Sequence, residues 1–145
     1  MIVYLDTSAL FKLYAAEPGA VDVRAAVEQA ETACTHLIAY AEVCAGFAKA
    51  IRLGRVTAAE AEGYRRDLDR DWAQFGILMP DQMIVRRAGD LALRFGLRGY
   101  DSVQLAAARI LQMQGVPEIV FASFDERLTN AASLIGLDSP FMKSR

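Results

Sequence analysis

Four acidic residues stand out because of the sequence around them. Asp6 directly follows an apolar run at the start of the chain, and Asp125 closely follows the last short apolar run. Glu42 is the only Asp, Glu, Lys or Arg among residues 32–48, and Asp101 precedes a stretch of small apolar side chains. An ionised carboxylate among apolar neighbours requires a compensating partner. All four acids are therefore candidates for chemistry.

Carboxylates that lie close together repel one another, which raises their pKa values unless a cation intervenes. Magnesium and manganese suit this role because they prefer carboxylate and water oxygens as ligands. A bound ion of this kind activates water near neutral pH and stabilises negative charge on a phosphoryl oxygen. If the four acids converge in the fold, the chemistry that fits them best is hydrolysis of a phosphodiester.

Each acid also has a purely structural interpretation, which the sequence leaves open. An aspartate between a strand and a helix is often only an N-cap, and this applies to Asp6 and Asp125. Glu42 and Asp101 could instead be solvated helix residues or first-turn partners of a helix dipole.

The pattern of apolar residues predicts strands that alternate with helices. Strands are expected at residues 2–5, 33–36, 77–79 and 119–122. The first helix is expected to have its N-cap at residues 6–8 and to end at about residue 14, and the second to follow a break at 17–19 and end at about residue 30. Further helices are expected at residues 37–53, 57–75, 83–95, 100–114 and 125–134. Such alternation predicts an α/β fold with a mostly parallel sheet and helices on both faces. Binding sites in such sheets lie beyond the carboxyl ends of the strands, where Asp6 and Asp125 are expected.

Length and composition indicate one globular domain over residues 1–145. No linker, repeat or low-complexity stretch interrupts the chain, and 54% hydrophobic with 23% charged residues excludes intrinsic disorder. No apolar run approaches the roughly 20 residues of a membrane-spanning helix, and the start has no basic region typical of a signal peptide. A cytoplasmic protein is therefore expected. Cys34 and Cys44 lack metal-site spacing and are expected to be small buried hydrophobes.

The net charge of −2 counts against binding nucleic acid through bulk electrostatics. Concentrating several acids in one pocket would nevertheless leave other surfaces neutral or locally basic. Such a basic region could be formed by Arg86, Arg87, Arg94, Arg98 and Arg109. The candidate RNA contacts among them are Arg86, Arg87 and Arg98. The alternative, that these arginines belong to ordinary solvated helix faces, stays open.

The segments that contain the four acids resemble a known family. Residues 4–10, 41–43, 100–108 and 122–128 are similar, in order and over essentially the whole chain, to the PIN-domain nucleases. The likeness is greatest to the VapC toxins of bacterial toxin–antitoxin pairs. It implies a three-layer α/β/α sandwich and a metal-dependent endoribonuclease that cuts transfer or ribosomal RNA. It also implies a homodimer and a cognate VapB-type antitoxin as partner.

The same resemblance assigns roles to individual residues. It implies that the catalytic, metal-binding acids are Asp6, Glu42, Asp101 and Asp125, which would hold Mg²⁺ or Mn²⁺. Ser123 would orient the site by hydrogen bonding, and Thr7 is expected to support it. Some members carry a further acid where this chain has Asn130, so one and two metal ions remain alternatives.

Other functions fit the sequence less well. A phosphatase that uses Asp6 as a covalent nucleophile would need a second acid two residues later, where Ser8 stands. A metal-independent ribonuclease would need a histidine pair, and His36 is the single histidine. Glycine motifs for nucleotide cofactors are absent. A magnesium-dependent phosphatase and a non-catalytic module that binds RNA or protein remain the alternatives, although a module of that kind would be expected to have lost at least one acid.

Overall fold

The computed structural model describes residues 1–140, and its elements follow the predicted order with ends shifted by a few residues. The strands are β1 (Ile2–Leu5), β2 (Thr32–His36), β3 (Gly76–Leu78) and β4 (Ile119–Ala122). The helices are α1 (Thr7–Lys12), α2 (Ala20–Gln29), α3 (Ala39–Arg52), α4 (Ala58–Trp72), α5 (Gln82–Phe95), α6 (Gly99–Met113) and α7 (Glu126–Leu134).

The four strands form one parallel sheet in the order β3-β2-β1-β4. Parallel pairing follows from the helices that connect successive strands, because each crossover returns the chain to the same end of the sheet. At the carboxyl edge, Leu5 is paired with Ala122, and the amide of Asp6 donates to the Ala122 carbonyl at 3.1 Å. The ends of β1 and β4 therefore lie side by side.

Helices cover both faces of the sheet, as the side chains of β1 show. Val3 and Leu5 pack on one face, in a core that includes residues of α1, α3 and α4. Tyr4 points to the opposite face, where it packs with residues of α6 and α7. This alternation follows from the two-residue period of a strand. The result is the three-layer α/β/α sandwich that the resemblance implied.

Local signals explain where several helices begin and end. Thr57 and Glu60 form a reciprocal capping box at the start of α4, with both hydrogen bonds at 3.1 Å. Gly96 ends α5 in the left-handed region, with φ of 66°. Among the described residues, no helix is long and apolar enough to cross a membrane.

The two cysteines are free thiols in the described part of the chain. Cys34 is buried and Cys44 is half-buried, and burial raises the pKa of both thiols. The expectation of small hydrophobic side chains is confirmed for Cys34 and holds only partly for Cys44, which keeps some contact with solvent.

Candidate active site

Two of the four acids follow neighbouring strands and begin the helices that come next. Asp6 accepts a hydrogen bond from the amide of Ala9 at 2.9 Å and caps α1. Asp125 accepts from the amide of Leu128 at 2.9 Å and caps α7. The N-cap interpretation is therefore right for both. Because β1 and β4 are adjacent, it also brings the two carboxylates to one point on the edge of the sheet.

Two serine hydroxyls tie these strand–helix junctions together. Ser123 donates to Oδ2 of Asp6 at 2.6 Å and accepts from the amide of Asp125 at 3.1 Å. Ser8 donates to Oδ1 of Asp6 at 2.7 Å and accepts from the amide of Phe124 at 2.9 Å. Each hydroxyl thus links one chain segment to the other, which fixes the spacing between Asp6 and Asp125.

The other two acids lie in the first turns of helices. Glu42 belongs to the first turn of α3, and Asp101 to the first turn of α6. A carboxylate is stabilised there by the partial positive charge of the helix N-terminus. Thr7 donates to Oε1 of Glu42 at 2.7 Å, which connects α1 to α3.

A glutamine that the sequence analysis did not single out also holds Glu42. The Nε2 of Gln104 lies 3.3 Å from Oγ1 of Thr7 and 3.4 Å from Oε1 of Glu42, in positions to donate to both. The hydroxyl of Tyr4 donates to Oε1 of Gln104 at 2.6 Å, which sets the direction of the amide. Gln104 is only 1% exposed. A single long polar side chain in an apolar helical stretch was the signal that could have identified it.

If the acids hold a metal ion, replacing Gln104 with leucine should weaken the binding of Mn²⁺ roughly tenfold, because outer-shell partners of metal ligands typically contribute that much. The test is a calorimetric titration of the protein with Mn²⁺ together with a thermal melt. Gln114→Leu is the matched control, since Gln114 is exposed at the end of α6. A Gln104 variant with a lower melting temperature but an unchanged affinity for Mn²⁺ would show a structural role only.

All four acids line one cleft of about 530 Å³, which we call the acid cleft. Burial raises the pKa of Asp6 to about 6, against the lowering effect of its hydrogen bonds, and the charge of Asp101 adds a smaller increase. The pKa of Asp101 is also raised, first by burial and then by the charge of Asp125. The acids therefore interact electrostatically, but loss of solvent outweighs the mutual repulsion expected from the sequence.

The oxygens that remain available define what the cleft can bind. Both carboxylate oxygens of Asp6 accept hydrogen bonds from the protein. Asp101 accepts none from the described residues, and Asp125 and Glu42 each use only one oxygen. Within residues 1–140, no three Asp, Glu, His or Cys side chains form a ready-made metal-binding group. This donor set fits Mg²⁺ or Mn²⁺, because Mg²⁺ usually keeps several waters and takes only one or two carboxylates.

Comparison with known proteins agrees with this geometry. Residues 3–134 match the family model described as PIN domain. The chain belongs to the PIN-domain family. It is 34% identical over 135 residues to Ribonuclease VapC45 of Mycobacterium tuberculosis, a match that covers 93% of this chain and 92% of that protein. This likeness places it in the VapC group of PIN domains.

Two solved structures show the same fold at low sequence identity. FitAcB from Neisseria gonorrhoeae superposes with a TM-score of 0.67 at 19% identity, over 96% of each chain. A toxin–antitoxin complex from Klebsiella pneumoniae gives 0.64 at 18% identity, over 92% of each chain. These likenesses support the PIN fold, including its parallel sheet.

Of the three arginines considered as RNA contacts, the PIN fold brings one to the acids. Arg98 lines the acid cleft, and its charge lowers the pKa of Asp101 against the larger effect of burial. Arg86 and Arg87 do not line it. They lie on α5, which packs against α6 through a separate apolar cluster that includes Ile84 and Ala106.

The single histidine lies apart from the acids of this PIN domain. His36 is buried and lines a separate, apolar cleft with Leu37 and Trp72. Its Nδ1 accepts from the amide of Ile38 at 3.1 Å, and burial lowers its pKa. A neutral, buried imidazole outside the acid cleft is not placed to act as the acid or base of RNA cleavage.

Proposed function

We propose that this PIN-domain chain is a Mg²⁺- or Mn²⁺-dependent endoribonuclease and serves as the toxin of a type II toxin–antitoxin pair. The observation that carries the proposal is the convergence of Asp6, Glu42, Asp101 and Asp125 on one cleft at the carboxyl edge of the sheet. Membership of the VapC group supports it, and the relative from Mycobacterium tuberculosis is named a ribonuclease.

The residues of the acid cleft would have different roles in the reaction. Asp101, Asp125 and Glu42 have free oxygens and would hold the ion. Such an ion supplies a water nucleophile near neutral pH and stabilises charge on the phosphoryl oxygen. Asp6 would also hold the ion, because its three accepted hydrogen bonds leave a lone pair of Oδ2 free, and Ser123, which donates to Asp6 and accepts from the amide of Asp125, fixes the distance between the two acids. Arg98 lies beside the acids, where a guanidinium can bind a substrate phosphate.

Cleavage of RNA by the purified protein is expected only with added Mg²⁺ or Mn²⁺. Excess EDTA should abolish it and an excess of the ion over EDTA should restore it. The measurement is the disappearance of labelled RNA on a denaturing gel. Undiminished cleavage in EDTA would contradict the metal requirement.

The ends of the products test the same mechanism independently. Attack by water has no need of the RNA 2′-hydroxyl, so 5′-phosphate and 3′-hydroxyl ends are expected. A histidine acid–base pair would instead favour attack by the 2′-hydroxyl, and His36 is the single histidine and lies outside the acid cleft. Ends with a 2′,3′-cyclic phosphate would therefore point away from the carboxylates.

The alternatives are disfavoured by specific contacts. A phosphatase that attacks through Asp6 needs a second acid two residues later, and that position holds Ser8, whose hydroxyl donates to Asp6. A non-catalytic module has no need of four acids in one cleft.

The proposal also includes the partners and the substrate. We propose that the chain forms a homodimer, binds a VapB-type antitoxin and cuts transfer or ribosomal RNA. One structural neighbour is described as a toxin–antitoxin complex. A single domain over residues 1–145 and a cytoplasmic location stay predictions.

A further inference from the structure

The acid cleft extends beyond the acids along α3 and the turn that follows it. Besides the carboxylates, Lys49 and Arg55 line it, and both side chains are exposed. Neither forms an ion pair within residues 1–140. Lys12, by contrast, pairs with Glu17 at 3.0 Å. Lys49 and Arg55 are therefore the cations of this side of the cleft that remain available for a ligand.

Lys49 and Arg55 lie progressively farther from the acids, along α3 and just beyond its end. Lys49 lies seven residues after Glu42 on α3, which is about two turns, so both residues face the same side of the helix about 10 Å apart. Arg55 lies just after the end of that helix, beyond Gly54. Arg98 lines the same cleft from the start of α6. The acids thus have cations on both sides.

We propose that Lys49 and Arg55 bind backbone phosphates of an RNA strand on one side of the bond that is cut. The inference rests on the proposed function, because it takes the acid cleft as the place of cleavage. Phosphates away from that bond supply affinity through contacts with Lys and Arg, without reading the sequence. A chain with net charge −2 and four acids in its cleft needs such local cations to hold a polyanion there.

The proposal is tested by measuring how RNA binding depends on salt. A labelled single-stranded RNA is titrated with the full chain in EDTA, which prevents cleavage, at several KCl concentrations. The test variant is Lys49→Ala with Arg55→Ala. The matched control is Arg52→Ala with Arg66→Ala, because both residues are exposed and neither lines the acid cleft. Both double variants change the net charge from −2 to −4, so general electrostatics are equal.

The slope of log affinity against log salt should fall by roughly 1.4 in the Lys49/Arg55 variant, since each phosphate contact to a single strand contributes about 0.7. The control should keep the wild-type slope. In Mg²⁺, KM should rise in the test variant while kcat stays unchanged, because these contacts bind substrate and transition state alike.

Several outcomes would overturn the proposal. Equal slopes for the two double variants would show that bulk charge alone matters. If the wild-type protein does not bind the RNA even at low salt, RNA is not the ligand of these two cations. A test variant that keeps its RNA slope but loses affinity for a polyglutamate peptide would assign the two cations to an acidic protein segment. If the slope falls as expected while wild type fails to cleave in Mg²⁺, the phosphate contacts stand and the proposed nuclease function fails.

Discussion

Replacing Asp101 with asparagine should lower the rate of RNA cleavage at least about a hundredfold while leaving the fold intact. Asp101 lines the acid cleft and accepts no hydrogen bond from residues 1–140, so both of its oxygens are available to an ion. Burial raises the pKa of Asp101 and the charge of Asp125 raises it further, since both carboxylates line the same cleft. An amide would remove one negative charge from the cleft with almost no change in shape.

The measurement is the initial rate of cleavage at saturating Mg²⁺ and pH 7.5, with a thermal melt to verify folding. Asp90→Asn is the matched control, because Asp90 is exposed on α5 and does not line the acid cleft. It should change the rate by no more than about twofold, as surface substitutions generally do. If the Asp101 variant, purified free of contaminating nuclease, keeps nearly full activity, Asp101 is not a metal-binding residue of the active site.

The second large effect is on stability without metal. Burial raises the pKa of Asp6 to about 6 from an ordinary value of 3.8, so the folded protein holds this proton more tightly than the unfolded chain. The resulting stabilisation is fully present below the unfolded value and is lost as pH rises through the folded value near 6. A difference of about two units corresponds to about 3 kcal/mol of unfolding free energy. The metal-free protein should therefore lose stability between about pH 4 and pH 7.

His36 acts in the opposite direction. Burial lowers its pKa, so its neutral form contributes stability that is lost as pH falls below its ordinary value. Comparing wild type with Asp6→Asn at each pH cancels this contribution, since both proteins contain His36. In EDTA, the unfolding free energy of the variant relative to that of wild type should increase as pH rises, by up to about 3 kcal/mol at pH 7.5. Asparagine still caps α1 through its carbonyl oxygen, so the helix start is retained.

Denaturant unfolding at pH 4.5 and pH 7.5 measures this difference. Asp81→Asn is the control, because Asp81 also caps a helix, accepting from the amide of Ile84 at 2.8 Å, but is exposed. It should change stability at pH 7.5 only slightly. Mg²⁺ at a hundred times its dissociation constant should add about 2.7 kcal/mol to wild type. A stability difference between the Asp6 variant and wild type in EDTA that does not change between pH 4.5 and pH 7.5 would show that burial does not penalise this carboxylate.

The elements were predictable because their signals are local. The apolar run before Asp6 indicates a strand, and Thr57 with Glu60 indicates the start of α4, without knowledge of any distant residue. The place where the acids gather follows from one further rule, that parallel strands end at the same edge. Residue types and the topology of the sheet were enough for this part of the site.

The contacts that hold the acids were not predictable in this way. Gln104 bonds to Tyr4, 100 residues away, and reaches Glu42 across 62 residues. Such partners depend on how α6 lies against the sheet, which no local pattern encodes. The same packing decides that Arg98 reaches the acid cleft while Arg86 does not. The size of a pKa shift depends on burial in the finished fold, which is why repulsion alone was expected for Asp6.

The hydrogen bond between Ser123 and Asp6 joins residues 117 positions apart, and the strands that carry them are neighbours in the sheet. A ribosome that has made the first three acids has therefore not yet made the partner strand against which Asp6 is fixed, or Asp125. Contacts of such separation form late in folding, because a long loop must close first. A growing chain therefore cannot complete the acid cleft until β4 and Asp125 have been synthesised.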